Sequence, residues 1–179
     1  MSDDYETIVK NEIKTTIALC FTVDHPELVY RTALAMTGYS VSDRRAKLRR
    51  KIIEATWQRK CRAAAAAMAD GMTSGLLNPV SKTGFWVLGK NVFGATNDAS
   101  DGLVELEAED KFNFKEHLAD IKVPTLVIGG EMDSFYPVRE TAEGILNAKL
   151  ILYKKSGHIA MYKSRFNHYV LSFLSQDKT

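Results

Sequence analysis

Apolar and polar positions change rhythm along this chain, and the changes predict its elements. The clearest signal is Thr125–Ile128, a β-branched apolar run with Pro124 before it and Gly129-Gly130 behind it. A run without polar alternation is apolar on both faces, so it predicts a buried parallel strand. Leu150–Tyr153 (LILY) predicts another strand, Tyr30–Met36 a further one stopped by Thr37-Gly38, and Tyr5–Val9 a short one near the start. Thr15–Val23 is helical and mostly apolar, ending before His25-Pro26, where Pro26 fits a turn or the first turn of a short helix. Arg139–Leu146 predicts a helix, and Tyr162–Leu174 a closing amphipathic helix with Phe166, Tyr169, Val170 and Phe173 on one face.

The middle of the chain has a different character. Ser42 or Asp43 is placed to cap a long helix. Leu48, Ile52, Trp57, Cys61, Met68 and Met72 follow at near-helical spacing, and Ala63–Ala67 is strongly helix-forming. Residues 73–98 are rich in Gly, Asn, Ser and Thr around one short apolar piece, Phe85–Gly89, and Leu103–Glu109 predicts another short helix. Strands alternating with helices imply an α/β fold with a parallel sheet of three to four strands and right-handed crossovers. Residues 38–115 are too long for a simple connection and predict a helical cap inserted between two strands. The expected division is therefore a core from 1–37 and 116–179, with the cap at 38–115.

Composition narrows the function classes. The 179 residues suffice for one domain with a sizeable core, and 45% hydrophobic with 26% charged residues is ordinary for a soluble globular protein. A net charge of +2 does not argue for nucleic acid. Cys20 and Cys61 have no ligand spacing, so neither a metal site nor a disulfide framework is expected, and a cytoplasmic location is the default. The opening MSDDYETIVK is acidic and polar, unlike a signal peptide, and no apolar run reaches membrane-spanning length, so no membrane partner is expected.

The candidate chemistry lies behind two strands. Asp133 falls just past the carboxyl end of the Thr125–Ile128 strand, where open α/β sheets place their ligands. His158 follows Leu150–Tyr153 in the same way, 25 residues later, one strand-helix-strand unit on. Adjacent parallel strands bring both loops to one edge of the sheet. An Asp and a His held together there suit general acid–base work, the carboxylate fixing the imidazole tautomer and stabilising its charged form.

These residues also carry a resemblance. "LADIKVPTLVIGGEMDSFYP", then "NAKLILYKKSGHIAMYKSRFNHYVLSFL", resembles the C-terminal end of the α/β-hydrolase family. The shared pattern is a Pro-Thr-apolar strand, a Gly-Gly/Glu-x-Asp loop with the triad acid, then a strand and a Gly-His with the triad base. "DHPELVYRTALAM" is similar to the helix end and strand that follow the nucleophile, and the insertion falls where the family carries its lid. The resemblance implies hydrolysis of an ester or related acyl bond without metal or cofactor, with Asp133 as the orienting acid and His158 as the base. It specifies the fold and says little about the substrate.

One part of the family pattern is not matched. The nucleophile belongs on a sharp strand-to-helix turn, G-x-S-x-G. Aligned on the following helix, that turn falls on Lys10-Asn11-Glu12-Ile13-Lys14, with lysines at the glycine positions and Glu12 at the nucleophile position. Four further strands and half of the oxyanion hole precede the turn in the family, where this chain has about nine residues. Losing one oxyanion donor typically costs about 10²–10³ in rate. Thr15, Thr16, Cys20, Ser74 and Ser81 are poor substitutes. The resulting expectation is a truncated hydrolase whose nucleophile is lost or supplied elsewhere. The alternative is a non-catalytic binding or assembly subunit, with a partner chain or self-association at an exposed sheet edge.

Among the remaining features, Arg44, Arg45, Lys47, Arg49, Arg50 and Lys51 form a basic run that reads as a solvated helix face. Nucleic-acid binding on it would need interleaved aromatics, and none is present. Trp57, Phe85 and Trp86, from the cap, and Phe135 and Tyr136, next to Asp133, are candidates to line a substrate pocket or to pack locally. His25, His117 and His168 read as surface or helix-end residues.

Overall fold

A computed structural model describes residues 12–72, 77–93, 104, 108 and 111–176. Three strands, β1 (Thr32–Ala35), β2 (Thr125–Gly130) and β3 (Lys149–Tyr153), form a parallel sheet in the order β1-β2-β3. The expected Tyr5–Val9 strand lies outside the described residues, and so does most of the expected Leu103–Glu109 helix. In β2 all six residues are buried, as an apolar run without alternation requires. Its side chains divide between two cores because successive residues face opposite ways. Val127 joins Leu19, Leu34, Leu118 and Val138 on one face, while Leu126 and Ile128 meet Phe166, Val170 and Phe173 on the other.

Helices cover both faces. On the first lie α1 (Glu12–Asp24) and α5 (Val138–Gly144), and on the second the closing helix α6 (Phe166–Leu174). The apolar face expected for the closing helix is the face it buries: Phe166, Val170 and Phe173 are buried and Tyr169 half-buried. The helix starts later than its pattern suggests, however. A single 3-10 turn at Ala160–Tyr162 comes first, and Arg165, at φ 63°, turns the chain into α6.

Among the described residues between β1 and β2, three α-helices pack together where the pattern predicts one long helix and a Gly-rich stretch. The long segment breaks at Gln58–Lys60 into α2 (Asp43–Trp57) and α3 (Cys61–Met72), with Arg59 at φ 53°. Ser42 caps α2, its hydroxyl accepting from the Arg45 amide at 3.1 Å. The Gly- and Asn-rich sequence is mostly helix, α4 (Leu77–Phe93). Pro79 is tolerated there because it sits in the first turn. Gly89 serves close approach: a Cβ would meet the backbone of Cys61 and Arg62, so this glycine lets α4 lie against α3.

Asp70 ties α3 to α4, accepting from Lys82 Nζ at 3.0 Å and Asn78 Nδ2 at 3.2 Å. Burial pushes its carboxyl up, but the hydrogen bonds from Lys82 and Asn78 and the charges of Lys82 and Arg44 outweigh that. The carboxyl is held below the usual aspartate range. A depressed folded-state value stabilises the fold above the unfolded value and stops doing so as pH falls through the folded one. The α3–α4 contact is therefore expected to hold from neutrality down to about pH 4 and to weaken below it. Thermal melts of the parent and Asp70→Asn should differ at pH 7, with the gap narrowing as pH falls below about 4. A constant gap would show that this ion pair carries no pH-linked stability.

The basic run does not lie wholly in water. Arg44, Lys47, Arg50 and Lys51 are exposed, but Arg45 and Arg49 are buried, which corrects the expectation of a solvated face. Helical spacing explains it, since both share a face with Leu48 and Ala55. No described helix is long and apolar enough to cross a membrane.

Candidate active site

The site is built where β2 and β3 end side by side. Gly130 pairs with Tyr153 at the last rung of the register, so the chain leaves both strands at the same edge. The two departing loops are joined by backbone hydrogen bonds, Glu131 N to Tyr153 O at 3.1 Å and Met132 N to Ser156 O at 2.9 Å. Gly130 permits this approach: a Cβ there would run into the carbonyl oxygens of Ser156 and Gly157. Lys155, at φ 56°, turns the second loop back toward the first.

Asp133 and His158 meet across this junction. His158 Nδ1 lies 3.0 Å from Asp133 Oδ2, and their side chains are 8% and 1% exposed. The second carboxylate oxygen is used locally. Asp133 Oδ1 accepts the backbone amides of Phe135 at 2.8 Å and Tyr136 at 3.3 Å, an Asx turn that shapes the loop. A carboxylate only accepts, so Nδ1 carries the imidazole proton and Nε2 is left as the basic nitrogen. The two side chains, whose loops the spacing put at one sheet edge, are thus in hydrogen-bond contact.

The two residues after Asp133 wall the imidazole. Phe135 stands edge-on to it with centroids 4.8 Å apart, and Tyr136 is tilted at 5.6 Å. The cap candidates are placed differently. Trp57 is 71% exposed at the end of α2, so it points into solvent instead of lining a pocket. Trp86 is about half exposed under the Arg62 guanidinium, 4.7 Å from ring centroid to Cζ, and Phe85 is half-buried on α4. Glu12, at the expected nucleophile position, is the first residue of α1, and its side chain lies outside the described residues, as do Lys10, Asn11 and Ser74.

Two hydroxyls close to the pair are committed elsewhere. Ser134 Oγ donates to Gly71 O at 3.1 Å, and Ser42 Oγ donates to Ser134 O. Cys20 lies on α1, where burial first and the nearby Asp24 second push its thiol up, away from the reactive thiolate. His25 and His117 are exposed, as read from sequence, and lie near acidic neighbours, Glu27 at 3.8 Å and Asp120 at 3.3 Å. Among the described residues no three His, Cys, Asp or Glu side chains cluster as metal ligands would.

Sequence reasoning missed Arg45. Its guanidinium lies over both site rings, 4.7 Å from the Phe135 centroid and 4.8 Å from that of Tyr136. The available signal was the spacing that puts Arg45 on the buried face with Leu48.

Comparison with known proteins places this arrangement among solved folds. The structure matches MGS-M2, an α/β hydrolase enzyme from a Medee basin deep-sea metagenome library, with a TM-score of 0.78 at 23% identity, over 93% of this chain and 63% of that one. It matches the enol-lactonase from Burkholderia xenovorans with a TM-score of 0.72 at 21% identity, over 92% and 64%. Carboxylesterase CesB from Bacillus subtilis gives a TM-score of 0.67 at 20% identity, over 93% and 59%. In sequence, the non-heme chloroperoxidase CPO-A1 of Kitasatospora aureofaciens is 32% identical over 104 residues, 54% of this chain and 36% of that protein. The chain spans less than two thirds of each of these proteins. No family model matches it.

Proposed function

From a chain that carries part of the α/β-hydrolase fold, we infer hydrolysis of an ester or related acyl bond, with Asp133 and His158 as its acid–base pair. The observation that carries this reading is the buried 3.0 Å contact between His158 Nδ1 and Asp133 Oδ2 at the carboxyl end of the sheet. Nε2 of His158 takes the proton of a nucleophilic hydroxyl or thiol as it attacks the carbonyl carbon, and returns it to the leaving alcohol. Asp133 holds the productive tautomer and stabilises the imidazolium formed between those steps. Acyl–oxygen cleavage of an ester or lactone is in keeping with a lactonase and a carboxylesterase that share the fold.

The nucleophile is not a hydroxyl at the position that register assigns, Glu12. Hydrolysis therefore needs a nucleophile supplied elsewhere, by another segment of the protein or by a partner chain. That same observation favours a second reading, a binding or assembly subunit that retains the pair without using it.

Turnover of short-chain p-nitrophenyl esters by the purified parent and by His158→Ala separates the two, with a fluorophosphonate label mapped by peptide mass spectrometry. With the nucleophile on another segment of this chain, hydrolysis and labelling of one Ser, Thr or Cys are expected, and both disappear in His158→Ala. Equal rates in the two proteins, with no label on a chain that melts cooperatively, would leave the binding subunit or a site completed by a partner chain.

A further inference from the structure

A hydrogen bond to one carboxylate oxygen fixes one point of an imidazole and lets the ring swing about it. Here the swing is blocked by Phe135, edge-on at 61°, and by Tyr136, tilted at 39°. Those rings are themselves pinned. The Arg45 guanidinium lies within 4.8 Å of both centroids, near enough for each ring face to attract the cation. Arg45 is 4% exposed, so water competes little for that charge.

Two backbone links fix where Arg45 sits. Its amide donates to Ser42 Oγ at 3.1 Å, and the Ser42 amide donates to Phe135 O at 2.9 Å. Helix α2 thus begins at a point set by the very loop whose rings Arg45 covers. From the other side Gly71 lies so close to Phe135 that a Cβ would overlap its ring, and Ser134 Oγ holds Gly71 O. The insertion between β1 and β2 therefore grips the acid loop at both its first and second helices.

We propose that Arg45 is a positioning residue for His158, holding Phe135 and Tyr136 against the imidazole so that Nδ1 stays on Asp133. The proposal rests on reading Asp133 and His158 as a functional pair, but its test needs no turnover. The probe is the downfield proton resonance of the His158 imidazole Nδ1–H, assigned through its absence in His158→Ala. It is compared in the parent, Arg45→Met, Arg45→Lys and the exposed control Arg44→Met. Methionine keeps an apolar stem of similar reach. Lysine keeps the charge without the flat face that stacks on rings.

Solvent exchange of that proton is expected to rise on the order of tenfold in Arg45→Met, two cation–π contacts being lost. The signal then broadens or vanishes well below the melting temperature. Arg45→Lys should fall between Arg45→Met and the parent, and Arg44→Met should match the parent. A merely structural role would lower the melting temperature and leave the resonance sharp and unshifted. That result in Arg45→Met overturns the proposal. Should Arg45→Met fail to fold, an unchanged resonance in Arg45→Lys overturns it by itself. A parent lacking the resonance would overturn both this proposal and the acid–base pair, whereas an unchanged resonance in the variants removes only the role of Arg45.

Discussion

Asp133→Asn is expected to abolish the site while leaving a folded but weaker protein. Each oxygen of Asp133 has its own work. Oδ1 accepts two backbone amides of the loop, and Oδ2 faces His158 Nδ1. An asparagine offers one acceptor and one donor group. If its oxygen keeps the loop amides, its NH₂ meets the imidazole and forces the other tautomer, with the proton on Nε2. If it is flipped, the NH₂ faces two N–H donors. The flipped arrangement leaves buried polar groups mismatched and the other replaces a charged hydrogen bond by a neutral one, at a side chain that is 1% exposed. A cost of about 1–3 kcal/mol in stability follows, and ester turnover should fall about 10⁴-fold, the loss that accompanies a wrong tautomer in a triad. Urea denaturation together with the p-nitrophenyl ester assay measures both. Asparagine activity within tenfold of the parent would show that the carboxylate does not govern the histidine.

Gly130→Ala should act on the same pair from the backbone. The methyl group would strike the carbonyls of Ser156 and Gly157, atoms that cannot rotate away as a side-chain tip does. The loops carrying Asp133 and His158 must then separate, breaking the Met132 N to Ser156 O bond that joins them. Overpacking of this kind costs about 1–3 kcal/mol. Its larger effect is on the 3.0 Å contact between the side chains, which has no slack for a shifted backbone. A loss of activity disproportionate to the loss of stability is the expected signature. Parent-like activity in Gly130→Ala would mean that the two loops tolerate a wider spacing than this junction implies.

The parts of the fold legible in sequence are those where local pattern and tertiary environment agree. β2 is buried along its whole length, and its unbroken apolar run announces that. Asp133 and His158 could be placed because a parallel sheet converts their position after successive strands into proximity in space. The rest depended on contacts between segments far apart in the chain. Gly89 in sequence only closes the short apolar piece Phe85–Gly89, yet it is a residue that lets α4 pack on α3. Arg45 and Arg49 read as solvent-facing because their charge was weighed above their helical phase with Leu48. The break at Arg59, a left-handed residue without a glycine to mark it, had no signature. Trp57 followed the apolar spacing of α2 but lies past the end of the buried face.

The grip of the insertion on the acid loop also bears on how this protein can be re-engineered. Caps on a shared scaffold invite treatment as interchangeable cassettes, cut at the connecting loops and replaced to change substrate preference. Here the cut would pass through contacts that hold the loop carrying Asp133. Ser42 holds the backbone of residues 134 and 135, and Gly71 makes room for the Phe135 ring. A graft that imports a foreign cap must carry a serine, an arginine and a glycine in equivalent places, or it will import new walls and lose the floor beneath them.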